Sequence, residues 1–421
     1  MNTSRNLPSR LRSEQGQALV LMAVTMVGLL GIAALSVDVG YLLVARNQLQ
    51  NVADGAALAG ARSLGAMYQN MTYPEQQVFV CGEPCITTIQ TTAESVANHN
   101  SAAGKIMSLD YGDDNTGDVL IGHWDGDNFT PGLDQPDAVQ VISRRDDAYN
   151  GPVTTFFARV LGIDSAPVNA IAVAAMTGQG TAQPGEVELP IGISRYFFDE
   201  SGWDGEGEPP WCHETIRFYP TNDPTSCAGW TSFEYNANDV TLRDILDGDD
   251  GYLSPTTVAN ETYFNFTGGT LSNPTFEALL NLFKERGFAS KPGDDREWYL
   301  DSNGDHLNWN QVLYSPYDQY PYPGGVDADG NAIPQAQWPD GNLRYYHRWD
   351  TSVPVYDWGD CSNPNTTIKI VGFAQVMLTD VRMAPDKLVE GKVLCGYTSP
   401  EDNRGGGGEY GIKGPIPGLV K

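Results

Sequence analysis

The residues best suited to acid–base or metal chemistry near neutral pH are histidines, and there are only five: His99, His123, His213, His306 and His347. None falls in an H-E-x-x-H pattern, and the sequence contains neither a G-x-S-x-G turn nor a G-x-x-x-x-G-K-S/T phosphate loop. The motifs therefore give no support for an enzyme, and the prediction is a protein without catalytic residues.

One acidic loop has the composition of a calcium site. Asp301, Asn303 and Asp305 place oxygen ligands at alternate positions, as calcium-binding loops do. The usual glycine at the sixth position is His306, however, and the twelfth residue is Val312 rather than glutamate. A tight turn is the alternative, because Asp, Asn and Gly all favour one. Calcium is the one cofactor considered, and otherwise none is expected.

The six cysteines could form three disulfides, since their number is even and an exported chain would meet an oxidising compartment. The simplest of the possible connectivities is local pairing along the chain. Buried free thiols are the alternative. The local scheme joins Cys81 with Cys85, Cys212 with Cys227, and Cys361 with Cys395.

Charge is distributed very unevenly along the 421 residues. Residues 1–62 hold five arginines and three acidic residues, a net of +2, whereas the remainder holds 20 basic and 50 acidic residues, a net of −30. Because this acidic body would repel a phosphate backbone, the sequence predicts that nucleic acid is not a partner.

A stretch of 23 residues without charge, from Gln15 to Val37, is long enough to cross the hydrocarbon core of a bilayer. Arg5, Arg10 and Arg12 precede it, and the positive-inside rule places the N-terminus in the cytoplasm and the rest outside. A cleaved signal peptide is the alternative, but its apolar region is normally about 7–15 residues. Gly28 and Gly31 would permit close contact with a partner helix.

The helix is predicted to continue beyond the membrane, because apolar residues recur at three- and four-residue spacing from Leu42 to Ala61. Asp38 and Gly40 lie at the membrane exit, and Arg46, Gln50 and Asp54 supply polar positions on the extension. We expect this half to pack against the exported domain and to contact partner proteins.

The fold class predicted is α+β: a long N-terminal transmembrane helix extended into an exported α+β domain, followed by a β-rich C-terminal domain. Strands are expected at 118–124, 137–145 and 167–176, with a helix at 153–161. The predicted organisation is a cytoplasmic tail at 1–13, the membrane helix at 14–37, its extension at 38–66, the α+β domain at 67–178, a linker at 179–188, the β-rich domain at 189–403 and a flexible tail at 404–421.

Several of these positions resemble a known family. Polar and small residues surround the apolar run at fixed spacing: Glu14, Gly16, Gln17, Ala18, Asp38, Gly40, Arg46, Leu49, Gln50, Ala53 and Asp54, followed by ALAGA at 57–61. With the segments IGHWD, PDAVQV, FFARVLG and VNAIAVA between 121 and 174, they resemble TadG-like proteins of the Tad system, which assembles Flp-type pili in bacteria. The D-x-S-x-S loop of the von Willebrand-type domain that many such proteins carry is absent.

The resemblance implies a structural component of Tad pilus assembly and surface adhesion, anchored in the inner membrane with its body in the periplasm. Its partners would be the lipid bilayer, Tad/Flp assembly proteins and pilin-like subunits. A second reading is an adhesin at the cell surface or pilus tip, with residues 189–403 as the binding head. A third is an exported hydrolase of unrecognised type.

Overall fold

The computed structural model describes most of the chain in ten segments. They are residues 11–112, 115–199, 211–212, 215–218, 227–248, 251–268, 271–289, 347–362, 364–385 and 387–421.

The chain begins with one helix, α1 (Leu11–Tyr68), which has 58 residues and is about 87 Å long at 1.5 Å per residue. Its first half is exposed, whereas a stripe of the second half is buried at three- and four-residue spacing. The predicted long helix and its extension are thus confirmed. The buried stripe consists of Ala45, Leu49, Val52, Ala53, Ala56, Ala57, Ala61, Leu64 and Tyr68.

The first domain packs this stripe against a second helix and an antiparallel sheet. Two further helices follow α1, namely α2 (Tyr73–Gln77) and α3 (Glu83–Asn98), and α3 lies against α1. Small residues on α1 permit this close packing: a Cβ on Gly60 would lie 3.1 Å from Val139 of the sheet and 3.3 Å from Ile89 of α3. The strands, in sheet order, are Gly418–Leu419, Val168–Ala175, Ala138–Arg145, Val119–Trp124 and Phe129–Pro131.

The predicted strands at 118–124, 137–145 and 167–176 are present, but the predicted helix at 153–161 is wrong. Val153–Thr154 and Ser165–Ala166 form a short antiparallel pair, and only Ala158–Leu161 between them is helical, as a single 3-10 turn. The apolar spacing of this segment does not reflect a buried helix face, because most of its large side chains are exposed.

The second domain is β-rich, as predicted, and its main sheet has eight strands among the described residues. It also contains three helices, α4 (Arg195–Asp199), α5 (Asp239–Leu246) and α6 (Asn273–Arg286). Thr367–Arg382 pairs with three different strands, because at 16 residues it is long enough to do so along its length. The sheet order is Thr215–Phe218, Leu388–Leu394, Thr367–Arg382, Tyr263–Thr267, Ala228–Thr231, Ile191–Ser194, His347–Tyr356 and Phe288–Ala289.

The remaining strands are two-residue pairs that close turns and join loops. They are Ser101–Ala102 with Lys105–Ile106, Tyr111–Gly112 with Thr116–Gly117, Thr181–Ala182 with Thr257–Val258, and Tyr397–Thr398 with Ile412–Lys413.

The last residues of the chain are packed, so the prediction of a flexible tail at 404–421 is wrong. Tyr410 and Ile412 are buried, and Gly418–Leu419 adds an edge strand to the sheet of the first domain. The segment 179–188 is also ordered rather than loose, since Gln179 and Val187 are buried. Glycine-rich composition misled both expectations, because these glycines permit close backbone contacts: a Cβ on Gly407 would lie 2.0 Å from the carbonyl oxygen of Gln179.

All six cysteines form disulfides, but only Cys81 with Cys85 follows the local scheme. The other two bridges are Cys212–Cys395 and Cys227–Cys361, so the predicted pairs Cys212–Cys227 and Cys361–Cys395 are wrong. Sheet pairing is the physical reason for the first of these bridges. Thr215 lies opposite Lys392 in an antiparallel pair, which brings the residues three positions beyond, Cys212 and Cys395, face to face.

The second long-range bridge has a similar cause. Cys227 and the segment that holds Cys361 both meet at Ser194, whose amide donates to the carbonyl oxygen of Cys227 at 2.7 Å. The Ser194 hydroxyl donates to the carbonyl oxygen of Asp360 at 2.9 Å. Non-local strand pairing therefore overrides proximity along the chain.

Candidate functional site

The exposed half of α1 has the surface of a membrane span. Its large apolar side chains between Leu19 and Ile32 are all 60–76 % exposed. Among the described residues, α1 is the one helix long and apolar enough to cross a membrane. Apart from the adjoining residues and backbone of α1 itself, no atom of this chain lies within 4 Å of where a Cβ would be on Gly28, Gly31 or Gly40. The predicted small-residue positions are therefore open on the helix surface.

Asp38, by contrast, is almost fully buried at the point where the body first meets α1. One carboxylate oxygen accepts the amide N–H of Phe156 at 2.7 Å. The other accepts those of Phe157 at 2.9 Å and Ala158 at 2.6 Å. The carboxylate thus satisfies three amides at the start of the Ala158–Leu161 turn, which that turn itself leaves without acceptors.

These bonds change the acidity of Asp38. Burial alone would raise its pKa, but the three backbone N–H groups and the positive charge of Arg159 outweigh burial, and the pKa of Asp38 is lowered. The side chain therefore stays ionised at neutral pH although solvent hardly reaches it. It joins α1 to a loop that lies about 120 residues further along the chain.

The 156–163 loop that Asp38 binds is apolar and exposed. Phe156 packs edge-on against Tyr41, one turn of α1 beyond Asp38, with ring centroids 5.2 Å apart. Gly162 closes the turn in a left-handed conformation, with φ of 85°, and the hydroxyl of Thr155 bonds to the carbonyl oxygen of Ile163 at 2.5 Å. The loop is thus held at both ends and against α1.

Gln50 makes a second contact between α1 and the body, and Asp54 of the same helix holds the Gln50 side chain. The amide of Gln50 donates to the Asp54 carboxylate at 2.7 Å and to the carbonyl oxygen of Ile171 at 3.0 Å. Arg46, one turn before Gln50, is exposed. The structure therefore brings Asp38 and Gln50 to the body, places Asp54 beside Gln50, and leaves Arg46 on the surface.

Near its C-terminal end, α1 meets the end of the chain. Arg62 forms an ion pair of 2.6 Å with Asp402 and donates to the carbonyl oxygen of Pro415 at 3.4 Å. Gly65 is essential to this approach, since a Cβ there would lie 2.1 Å from the same Pro415 oxygen. On the sheet beside them, the Lys413 ammonium bonds to the Asp137 carboxylate.

A carboxylate cluster in the first domain surrounds an arginine. Arg144 pairs with Asp118 at 2.7 Å, Asp110 at 3.0 Å and Asp146 at 3.6 Å. Burial raises the pKa of Asp118, and Arg144 keeps it paired.

Within the part of the chain that the structure describes, no group of three or more His, Cys, Asp or Glu side chains is arranged to hold a metal. The calcium candidates Asp301, Asn303 and Asp305 lie outside the described residues.

Sequence reasoning missed the partners of the predicted helix residues. It singled out Asp38 but not the amides of 156–158, and it overlooked Arg62, Gly65 and Asp402 as a contact. The available signal was an acid directly after an apolar span, together with a second apolar segment downstream. The amide partners themselves are backbone atoms, which no residue pattern identifies.

Comparison with known families agrees with this architecture. The family described as Flp pilus-assembly TadE/G-like matches residues 16–63, which are the span and extension of α1. The family described as Tad-like Flp pilus-assembly matches residues 80–174, which include α3 and the sheet packed on α1. No curated protein and no solved structure matches the chain. The two matches lie in order along the first domain, so the chain carries, between residues 16 and 174, the two domains of the TadE/G-like family of Flp pilus-assembly proteins.

Proposed function

We propose that this protein is a non-catalytic structural component of Tad/Flp pilus assembly and surface adhesion, anchored in the bacterial inner membrane. The N-terminus would lie in the cytoplasm and the acidic body in the periplasm. The observation that carries this proposal is that a single helix, α1, is lipid-compatible in its first half and forms the core of the exported domain in its second.

This arrangement couples the body rigidly to the membrane helix. The buried stripe of α1 packs on α3 and on two strands of the sheet, so separating the anchor from the body would expose the core of the first domain. A flexible tether would let the body move away from the membrane, whereas this helix holds it at a fixed height. Such geometry suits a part that must present a surface to an assembly in the same membrane.

The charges and disulfides are consistent with this topology. Arg5, Arg10 and Arg12 precede the span and favour a cytoplasmic N-terminus. Three disulfides beyond the span suit an oxidising compartment such as the periplasm. The open faces at Gly28 and Gly31 would admit helices of pilin-like subunits or of other Tad/Flp assembly proteins.

The test uses the full chain in the native host. Proteinase is added to intact cells, to cells with a permeabilised outer membrane and to lysed spheroplasts, and the body is followed with an antibody. We expect membrane fractionation and cleavage only after the outer membrane is permeabilised. Cleavage in intact cells would instead favour the surface or tip adhesin, and a soluble cytosolic protein would overturn the proposal.

A deletion strain tests the role in assembly. We expect loss of surface Flp-type filaments, measured as pilin in the sheared fraction, with recovery by the parent gene. A strain that lacks the protein but retains filaments and adhesion would contradict a structural role in assembly.

A further inference from the structure

The 156–163 loop exposes an unusual amount of apolar surface for a strongly acidic body. Single exposed apolar side chains are common, but a contiguous group marks a contact surface. Val160 is the most exposed large apolar residue among those described, at 86 %, and its neighbour Leu161 is 68 % exposed. The group consists of Phe156, Phe157, Val160, Leu161 and Ile163.

The height of this loop relative to the membrane follows from α1. Beyond Asp38, the side chains of Val39, Leu43 and Val44 are still 52–56 % exposed. Asp38 itself is buried, so the first exposed charge after the span is Arg46. The outward apolar surface of α1 therefore does not end at Asp38 but continues for almost two more turns.

The length of that surface fits a bilayer with its interface. The stretch 18–44 spans about 40 Å at 1.5 Å per residue. The hydrocarbon core is about 30 Å thick, and about 40–45 Å when the headgroup regions are included. Residues beyond Asp38 then lie in the headgroup region. The 156–163 loop contacts α1 at Asp38 and Tyr41, which is the same level.

We propose that the 156–163 loop inserts its apolar side chains into the headgroup region of the bilayer that α1 crosses, as a second and monotopic membrane contact of this chain. This inference rests on the proposed anchoring of α1, and it adds a lipid-binding surface formed by the body itself.

Lipid is the occupant that the surroundings favour. Three amide bonds and an aromatic contact fix the loop to α1 just beyond the end of the span, so the bilayer surface is the neighbour at the level of its exposed side. Arg159 is exposed among the apolar residues and could reach lipid phosphates. The rest of the exported part carries a large negative charge, which an anionic leaflet repels, so an apolar contact would offset that repulsion.

The consequence would be a fixed tilt of the body. A single helix leaves the body free to rotate about the membrane normal and to tilt. A second contact beside the helix would restrict the tilt of the body relative to the membrane.

The experiment uses the full chain in nanodiscs of phosphatidylcholine, with an environment-sensitive nitrobenzoxadiazole label on a new cysteine. The native cysteines are all in disulfides and do not compete for the label. Val160→Cys reports on the loop, Leu30→Cys on the span, and Val78→Cys serves as the matched control. Val78 is an exposed valine, at 71 %, in the segment that packs against the distal end of α1.

We expect blue-shifted emission at position 160 and quenching by lipids that carry a nitroxide at acyl carbon 5, with weaker quenching by carbon 12. Position 30 should be quenched by both lipids, and position 78 by neither. Leu161→Cys, which is on the same loop, should behave like Val160→Cys and guards against an effect of one labelled side chain.

The possible failures are distinguishable. If the lipids quench the label at position 30 but not at position 160, the loop contact is overturned and the anchor stays intact. No quenching at position 30 would overturn the anchor and the loop contact together. A blue shift at position 160 that lipids do not quench, and that requires two copies per disc, would assign the surface to a second copy and overturn the lipid contact.

Discussion

Asp38 links α1 to a distant loop, a role that its position in the sequence does not indicate. A lone acid after an apolar span is usually a boundary marker that faces water. Here the carboxylate is buried and binds the amides of Phe156, Phe157 and Ala158. An ionised acceptor makes stronger hydrogen bonds than a neutral one. A single side chain thereby joins the exit of the span to a distant loop.

Replacing Asp38 should release the 156–163 loop. We expect Asp38→Ala to accelerate amide exchange in the peptide that covers 153–165 several-fold, and Asp38→Asn to do so less, because an amide oxygen still accepts but without charge. Hydrogen exchange with mass spectrometry on the full chain in nanodiscs measures this. The control is Asp147→Asn on an exposed turn of the same domain, where exchange should be unchanged. Equal protection in Asp38→Ala and the parent would contradict the contact.

The same contact should depend on pH in a defined direction. The pKa of Asp38 is lowered from 3.8 in the folded protein. A carboxyl of this kind contributes fully above its unfolded pKa and loses the contribution as pH falls through the lower, folded value. We expect the protection of the loop, relative to Asp38→Asn, to decline from about pH 5 downward and to be constant above it. A decline near pH 7 would point to another group.

At the scale of elements, α1 combines two helices that proteins usually keep separate. One half is apolar on all sides and exposed, as in a membrane span, and the other has a single buried stripe, as in a globular core. The second half can pack closely against the body because it is rich in alanine and glycine. Their small side chains bring α3 and the sheet close to the helix, as the contacts around Gly60 show.

A charge in the middle of the span should weaken anchoring. Leu30→Arg places an arginine among residues that are 60–76 % exposed to the expected lipid, at a cost of about 2.5–3.5 kcal/mol on insertion scales. We expect a larger share of this variant than of the parent to be extracted from membranes by carbonate. Leu30→Met is the matched control and should fractionate as the parent does. Full retention of Leu30→Arg would refute the assigned span.

Gly65 tests the contact between α1 and the end of the chain. Alanine normally stabilises a helix interior by about 1 kcal/mol relative to glycine. At Gly65, however, the new Cβ would lie 2.1 Å from the Pro415 oxygen, a backbone atom, so we expect a net loss of about 1–3 kcal/mol. Thermal unfolding of the purified full chain in detergent measures it.

Gly40→Ala is the matched control for that substitution. It lies in the same helix with no atom within 4 Å of the new Cβ, so its melting temperature should equal or slightly exceed that of the parent. A stabilising Gly65→Ala would show that the last segment does not pack on α1 as described.

At the scale of the whole molecule, the two domains are joined by more than the connecting segment. After the second domain, the chain returns to the first domain, where Lys413 bonds to Asp137 and Gly418–Leu419 extends the sheet. Gln76 of α2 is buried and exchanges two hydrogen bonds with the backbone of Thr398, at 2.8 and 3.0 Å. The body is thereby one unit on one helix rather than a series of separate modules.

The long-range disulfides predict where free thiols should appear. Cys212→Ser should release the thiol of Cys395, and not that of Cys227, as mapped by alkylation and peptide mass spectrometry. Opening a bridge that spans 183 residues should lower the free energy of unfolding by about 2–5 kcal/mol. Cys81→Ser is the comparison, since its bridge spans only four residues and its loss should cost less. A labelled Cys227 in Cys212→Ser would restore the local scheme.

Residue patterns along the chain were sufficient to predict several features of this protein. Periodicity and the lack of charge determined α1, including its extension, because a helix is a local structure and burial of one stripe shows in the spacing. Three strands of the first domain followed from alternation and turn residues. The resemblance carried by polar residues around the span identified the family.

Tertiary structure alone decided which distant segments meet. Disulfide connectivity follows from strand pairing, the packed end of the chain from close contacts at glycines, and the role of Asp38 from three backbone amides. The physical reason is common to all three. Local sequence fixes backbone preference and which side chains avoid water, whereas partners far apart in sequence are selected only when the packed elements bring particular atoms within bonding distance.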